Sequence, residues 1–599
     1  MNVRNNLLTF IIIGCFSTLY AQQYKDYIGA GNNIGITVTA SSSSGVSTPA
    51  KTLDGSGLDA LTYDASRFLG QTTFGANMET IEEVRDMGYE VWIDSQFIKT
   101  PQTILPLMNT IWDEIYALDN ETFGPYALHF NYAWWQRNMT NEDLLRQRTA
   151  YALSQILVTS INSDLRDWAD ALSSYYDLFV TNAFGNYKDI LMQVTKHPAM
   201  GYYLSHLNNP REDTENNIHP DENYAREIMQ LFSIGLFELN PDGTLMTDGS
   251  GNPIPTYNNN DIKDLAKVFT GLGGGATLDM MYCPDQPEFG TNMYCLDKTV
   301  PMTMFAWAHE IGPKTFLGHT IPGSTTYTNA TAMAEVDNAV DFLFNHPNTG
   351  PFVSYRLIQR LVTSNPSPAY VGRVAAKFAD NGSGVRGDMK AVLKAILLDE
   401  DARSEAAYLN PNSGKLREPI LRYTHIARAL PTDSHRDRYW NNGFNYLDAT
   451  RQHVMASPSV FNFYSPDYQP AGDWSALNLV GPEFKIHNTA SSIGYINSVH
   501  RWIFWNSLMY SWEGSYPDDK DEVWILTNEL EAVANDTETL INALDKVFTH
   551  GQLSDETRQI MRDALNPMQT PWDQESPNGT RVKLALYLMM ISPDYNCTK

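Results

Sequence analysis

Two acids, an amide and an arginine crowd into Glu222-Asn223-Tyr224-Ala225-Arg226-Glu227, which runs directly into the apolar stretch from Ile228. Read as a helix, this segment puts Asn223, Glu227 and Gln230 on one face, spaced i, i+4 and i+7, and pairs Glu222 with Arg226 at i, i+4. Tyr224, Ile228, Leu231 and Gly235 form the opposite stripe. Glu227 has the chemistry of a general base or a metal carboxylate, and Arg226 that of an anchor for an anionic group. A second set is His309 and Lys314, in a loop between apolar pieces, where a titrating imidazole can act as base or ligand. A third is Lys415-Leu416-Arg417-Glu418-Pro419, which opens a helix with Glu418 at the positive dipole end and leaves Arg417 free to reach elsewhere. Glu227, Arg226, His309 and Lys314 are therefore the catalytic candidates, and Asn223, Glu222, Arg417 and Glu418 the binding candidates. Each competes with a plainer reading, in which the charges brace helices or face solvent. The aromatic run Pro458 to Pro470 is equally a groove for sugar rings or peptide and a loop that covers the core.

The motifs of the common enzyme classes are missing from the sequence. It has no nucleophile elbow, P-loop, dinucleotide glycine fingerprint or His-Glu-x-x-His, and its Cys-x11-Cys is not a zinc pattern. No metal site is expected. The net charge of -27 repels phosphate backbones, which argues against a nucleic-acid partner. Arg4, the apolar Leu7–Ile13 and Leu19-Tyr20-Ala21 before Gln22 read as a signal peptide over residues 1–21. The alternative is a lipobox, Ile12-Ile13-Gly14-Cys15, with the protein anchored through Cys15. No later run is long and apolar enough to span a bilayer. Exported into an oxidising compartment, Cys283 and Cys295 are expected to form a disulfide, leaving Cys597 unpaired.

Those candidates must be positioned by helices. Residues 22–57 are rich in Ser, Gly and Thr and read as a flexible leader. From residue 58 onward, helical spacing dominates: a short helix ending at Gly70, then Met78–Met87, Tyr89–Phe97, Leu144–Ile161, Trp168–Val180, Ala332–Phe344, Arg417–Ala429 and Glu529–Phe548, among others. Asn240-Pro241-Asp242-Gly243 and Asp248-Gly249-Ser250-Gly251-Asn252 are turn formers, predicting a β-hairpin insertion over about 240–257 with its tip near Gly249. Residues 272–330 read as a loop-rich insertion with short strands near 302–305 and 315–317. The fold class is mainly α, one large multi-helix domain over 58–599.

Several stretches carry a likeness in order along the chain. They include Ala65-Ser66-Arg67-Phe68-Leu69 with Thr73-Phe74-Gly75, His197-Pro198-Ala199-Met200, Glu222-Asn223-Tyr224-Ala225-Arg226-Glu227 with Leu231-Phe232, Phe269-Thr270-Gly271, His309 with Lys314, Arg417-Glu418-Pro419 and Pro458-Ser459-Val460-Phe461. On these the chain resembles the DUF-1800 family of large exported bacterial proteins. Two positions depart from the family pattern: His309-Glu310 stands in place of His-Asp, and Gln230 where glutamate is common. The resemblance implies a mostly helical, exported protein, often encoded beside a second exported family, DUF-1501, and it transfers no catalytic role. Two functions are expected from all this. The first is an exported envelope or extracellular binding or assembly protein; the alternative is an extracellular hydrolase with Glu227, Arg226, His309 and Lys314 in one pocket.

Overall fold

The structure is a computed structural model that describes residues 60–118, 124–434, 437–440, 444–505, 507–509, 523–568 and 576–599. The signal peptide, the lipobox and the leader fall outside the described residues. The chain is mainly α. At its centre lies the helix Ala169–Asn182, whose Ala171, Leu172, Ser173, Tyr175, Tyr176, Leu178, Phe179 and Val180 are all buried. A helix that is apolar around most of its circumference has to be enclosed. It is packed by Leu105–Leu118, Ala127–Thr140, Leu144–Ser154 and Tyr187–Lys196. The helix Leu144–Ser154 is buried from Leu145 through Ser154, including Arg146, Gln147 and Arg148. Polar side chains carried this deep must find partners inside the protein.

Strands are short and serve as clips. Lys314–Phe316 pairs antiparallel with His319–Ile321 through a two-residue turn in which Leu317 and Gly318 both take positive φ, 51° and 74°. That is the hairpin geometry whose twist matches the flanking strands. Leu272–Gly273 pairs with Thr303–Met304, and Lys415–Leu416 with Cys597–Thr598. The region expected as one hairpin is a set of three extended segments. Phe237 bridges to Pro255, Leu239 to Leu245 and Thr247 to Pro253. One turn is closed by Asp248, as expected, and a second by Asp242, whose carboxylate accepts from Thr244 N and Oγ1 at 3.0 and 2.6 Å. Cys283 and Cys295 are disulfide-bonded, with Cα atoms 5.2 Å apart, and Cys597 is free.

Several helix limits differ from the sequence reading. The first helix runs Ala60–Thr72, straight through Gly70. A Cβ at Gly70 would lie 3.0 Å from the His550 ring, so the glycine marks a close approach and not a stop. The helix from Leu144 ends at Ser154, where the Ser154 hydroxyl bonds Tyr151 O. Glu529–Phe548 is broken into Asn528–Val533 and Thr537–Leu544, because the Asp536 side chain caps the second helix at Thr539 N. Arg417 precedes its helix, which begins at Pro419, since the strand Lys415–Leu416 leads into it.

Gly75, just past the first helix, packs against the helix Pro419–Ala429. Its φ is +134°, and a Cβ there would lie 2.5 Å from His425 Cα. Gly75→Ala is expected to cost about 2–4 kcal/mol through backbone strain and overpacking. A denaturant melt against wild type checks this, and an unchanged midpoint would refute it.

Candidate functional site

The helix Asn223–Gln230 begins after Asp221, whose carboxylate accepts from Asn223 N at 2.9 Å. Asn223 is exposed, and Glu222 and Arg226 form a half-exposed pair at 3.4 Å. Such pairs contribute little to stability. Tyr224 and Ile228 are buried, as the stripe requires, but so is Glu227, at 8% exposure. Among the described residues Glu227 makes no ion pair, and its Oε2 has no hydrogen-bond partner. Burial raises its pKa to about 7 against the partial opposition of Arg226. Tyr203 and Tyr257 stand near it, and burial together with the Glu227 charge pushes each hydroxyl up to about 12. Tyr257 OH donates to Gln230 Oε1 at 3.1 Å. Glu227 is thus a carboxyl group poised to exchange a proton near neutral pH, with two tyrosines that feel its charge.

His309 and Lys314 come together elsewhere, both 0% exposed. His309 sits after a 3-10 turn, Ala306–Ala308, and Lys314 opens the strand Lys314–Phe316. His309 Nδ1 donates to Thr270 O at 2.8 Å, and Nε2 lies 3.1 Å from Glu335 Oε2. Lys314 Nζ donates to Glu335 Oε2 and Glu310 O at 2.6 Å each, and to Tyr327 OH at 3.2 Å. Tyr327 OH donates to the other Glu335 oxygen. Burial opposes ionisation of Glu335, but the bonds from His309, Lys314 and Tyr327 outweigh it and hold the carboxyl below its ordinary pKa. Every donor of Lys314 is used, which makes this cluster a closed brace. Neither Glu227 nor Arg226 is among its partners. The four catalytic candidates therefore divide into two groups, Glu227 with Arg226 and His309 with Lys314, with no hydrogen bond or ion pair between them.

The sequence reading passed over Glu335, Tyr327, Tyr203 and Tyr257. For Glu335 a signal existed. On the helix Asn329–Asn345 it falls on the same buried face as Ala332, Val336, Ala339, Val340 and Leu343, where an acid needs a partner. Tyr203 falls in a stretch, His197 to Leu204, that carries the family likeness, whereas Tyr257 and Tyr327 had no comparable mark.

Arg417 and Glu418 are both buried at the third cluster. Glu418 Oε2 accepts from Tyr151 OH at 3.0 Å, Gln155 at 2.6 Å and Gln452 at 2.7 Å. Burial opposes its charge, and Lys415, Arg360 and Arg148 overcome that and keep its pKa low. In the run 458–470, Asn462, Phe463 and Tyr464 are buried and anchor the segment, while Phe461 is exposed.

These elements define a mainly helical protein with ionic clusters enclosed by its helices. The family model DUF1800, described as a protein of unknown function, matches residues 67–597, and the chain belongs to that family. No curated protein and no solved structure matches it.

Glu335→Gln should destabilise the protein by roughly 3–5 kcal/mol, since it leaves the buried Lys314 charge unpaired. A denaturant midpoint equal to wild type would rule out the brace. For Glu227 the sign is opposite. Its folded pKa of about 7 lies above the ordinary 4.5, so the folded state binds the extra proton, and stability is lost as pH rises through that window. Glu227→Gln should melt higher than wild type at pH 8 by up to about 3 kcal/mol, the gap closing toward pH 4.5. A gap that does not vary with pH would refute the shift.

Proposed function

We propose that the chain is an exported binding or assembly protein of the bacterial envelope, and that it docks through the insertion stapled by Cys283–Cys295. The observation that carries this reading is the exposure of large side chains on a loop closed by a disulfide. Met281 and Tyr282 are 85% and 86% exposed, and Met280, Tyr294 and the neighbouring Trp307 are exposed as well. Soluble surfaces seldom gather so much apolar area unless something covers it. The loop does not owe this display to poor packing. Its neck is closed by the bridge between Thr277 and Leu296 and by Leu278 N donating to Cys295 O at 2.8 Å. Its flank is pinned by Asn208, which bonds Thr291 O and Gly290 N. Asp279, Asp285, Glu288 and Asp297 stand along it with no basic residue between Ala276 and Asp297. A fitting partner presents an apolar patch with a basic rim, and the co-encoded DUF-1501 type of exported protein is the partner we propose. The disulfide itself suits an oxidising compartment.

A second reading draws on Glu227. Its unpartnered oxygen and near-neutral pKa suit acid–base chemistry, as in an extracellular hydrolase, with the tyrosines and Arg226 in place of His309 and Lys314, which are held by Thr270 O, Glu310 O and Glu335.

The docking reading is tested with the full chain and the neighbouring exported protein by calorimetry. Binding should weaken at least about tenfold in Met281→Glu/Tyr282→Glu, with the melting temperature unchanged. Wild type that does not bind, or a variant that binds as well as wild type, would overturn it.

A further inference from the structure

Five cationic side chains are buried where the helices Leu144–Ser154, Thr349–Leu361 and Pro419–Ala429 meet the strand Lys415–Leu416: Arg148, Arg360, Lys415, Arg417 and Arg422. Two buried carboxylates, Glu418 and Glu483, accompany them. Lys415 draws on both, at 3.9 and 3.0 Å. Arg417 is met by imidazoles instead of acids. Its Nη1 donates to His425 Nδ1 at 2.8 Å and its Nη2 to His550 Nε2 at 3.4 Å. Both rings can accept because their other nitrogens donate, His425 to Val547 O and His550 to Ser66 Oγ. Burial and the Arg417 charge press both imidazoles toward the neutral form. Arg422 gives its Nε to Arg417 O and lies over the Tyr495 ring. Arg148 is 1% exposed and donates Nη2 to Arg360 O at 2.7 Å, while its Nε and Nη1 have no hydrogen-bond partner among the described residues.

Guanidinium groups stay charged even when buried, and Glu418, which Lys415, Arg360 and Arg148 all share, and Glu483 offset only part of the positive charge of this cluster, an excess that is costly in the interior. Beside Arg148 lies a cavity of about 20 Å³. Its polar walls are Arg148, Lys415, Arg417, His425 and the Thr73 and Thr598 residues, and no carboxylate lines it. A space of that size accepts one water molecule or one monatomic ion. The geometry points to a binding site for a halide, chloride in ordinary media, between the guanidinium groups of Arg148 and Arg417. The ion supplies the missing negative charge and gives Arg148 an acceptor. It also ties the first helix, through Gly70 and Thr73, to the terminal strand Cys597–Thr598.

Crystals of the full chain soaked in bromide test the site directly by anomalous scattering. A bromide peak in contact with Arg148 and Arg417 is the expected result; bromide at surface positions alone, with the cavity holding water, overturns the proposal. In solution, chloride should raise the melting temperature by several degrees, saturably, relative to gluconate at equal ionic strength, because gluconate is too large for the cavity. Arg148→Met should lose that increment, and an equal rise with both salts would also overturn it. Should the variant fail to fold, the bromide map and the wild-type salt comparison still decide.

Discussion

A charge taken out of water must be met by something inside, and the helical body depends on how that demand is satisfied. Helices as enclosed as Leu144–Ser154 and Pro419–Ala429 carry arginines into the interior along with their apolar residues. Around Glu335 the demand is satisfied completely, with a lysine, a tyrosine and a histidine on one carboxylate. Around Arg417 it is satisfied by neutral rings and the face of Tyr595, which accept hydrogen bonds or offer π density without cancelling charge. At Glu227 it is not satisfied, and the group answers by moving its pKa. These three solutions explain why residues that look equally chemical in the sequence differ so much in the fold.

Much of the architecture was legible. Helical spacing marked Met78–Met87 and Tyr89–Phe97 to the residue, because an apolar face repeats every three or four positions and Gly88 separates the two. The cysteine pair was legible from its spacing. The break at Asp536 was not, because apolar spacing continues across it and only the cap chemistry interrupts the helix. Gly70 misled for the opposite reason: a glycine at the end of a helical pattern looks like a stop, and only the ring of a residue far along the chain shows what the missing side chain leaves room for.

The candidate site was legible in composition and illegible in grouping. His309 and Lys314 are five residues apart, and their meeting follows from the turn into a short strand. That Glu227 keeps apart from them is a matter of which helices pack together, and no spacing within residues 219–235 contains it. Arg417 makes the same point, since its partners His425 and His550 lie 8 and 133 residues away. Arg417 itself lies before the helix Pro419–Ala429, so helical periodicity foretells neither.

The contact between Ser66 and His550 joins residues 484 positions apart at 2.7 Å. His550 holds a left-handed backbone, φ 57°, to present its ring there, just after a π-helical turn. The polypeptide is thereby stitched to itself near both extremes of its described length, while the insertions stand outside that seam. A protease that clips the exposed disulfide loop would sever the backbone without releasing either half. For a cut between residues 283 and 295 the sulfur bridge itself spans the break, so the fragments would stay covalently joined and would part only when the bridge was reduced and the fold denatured.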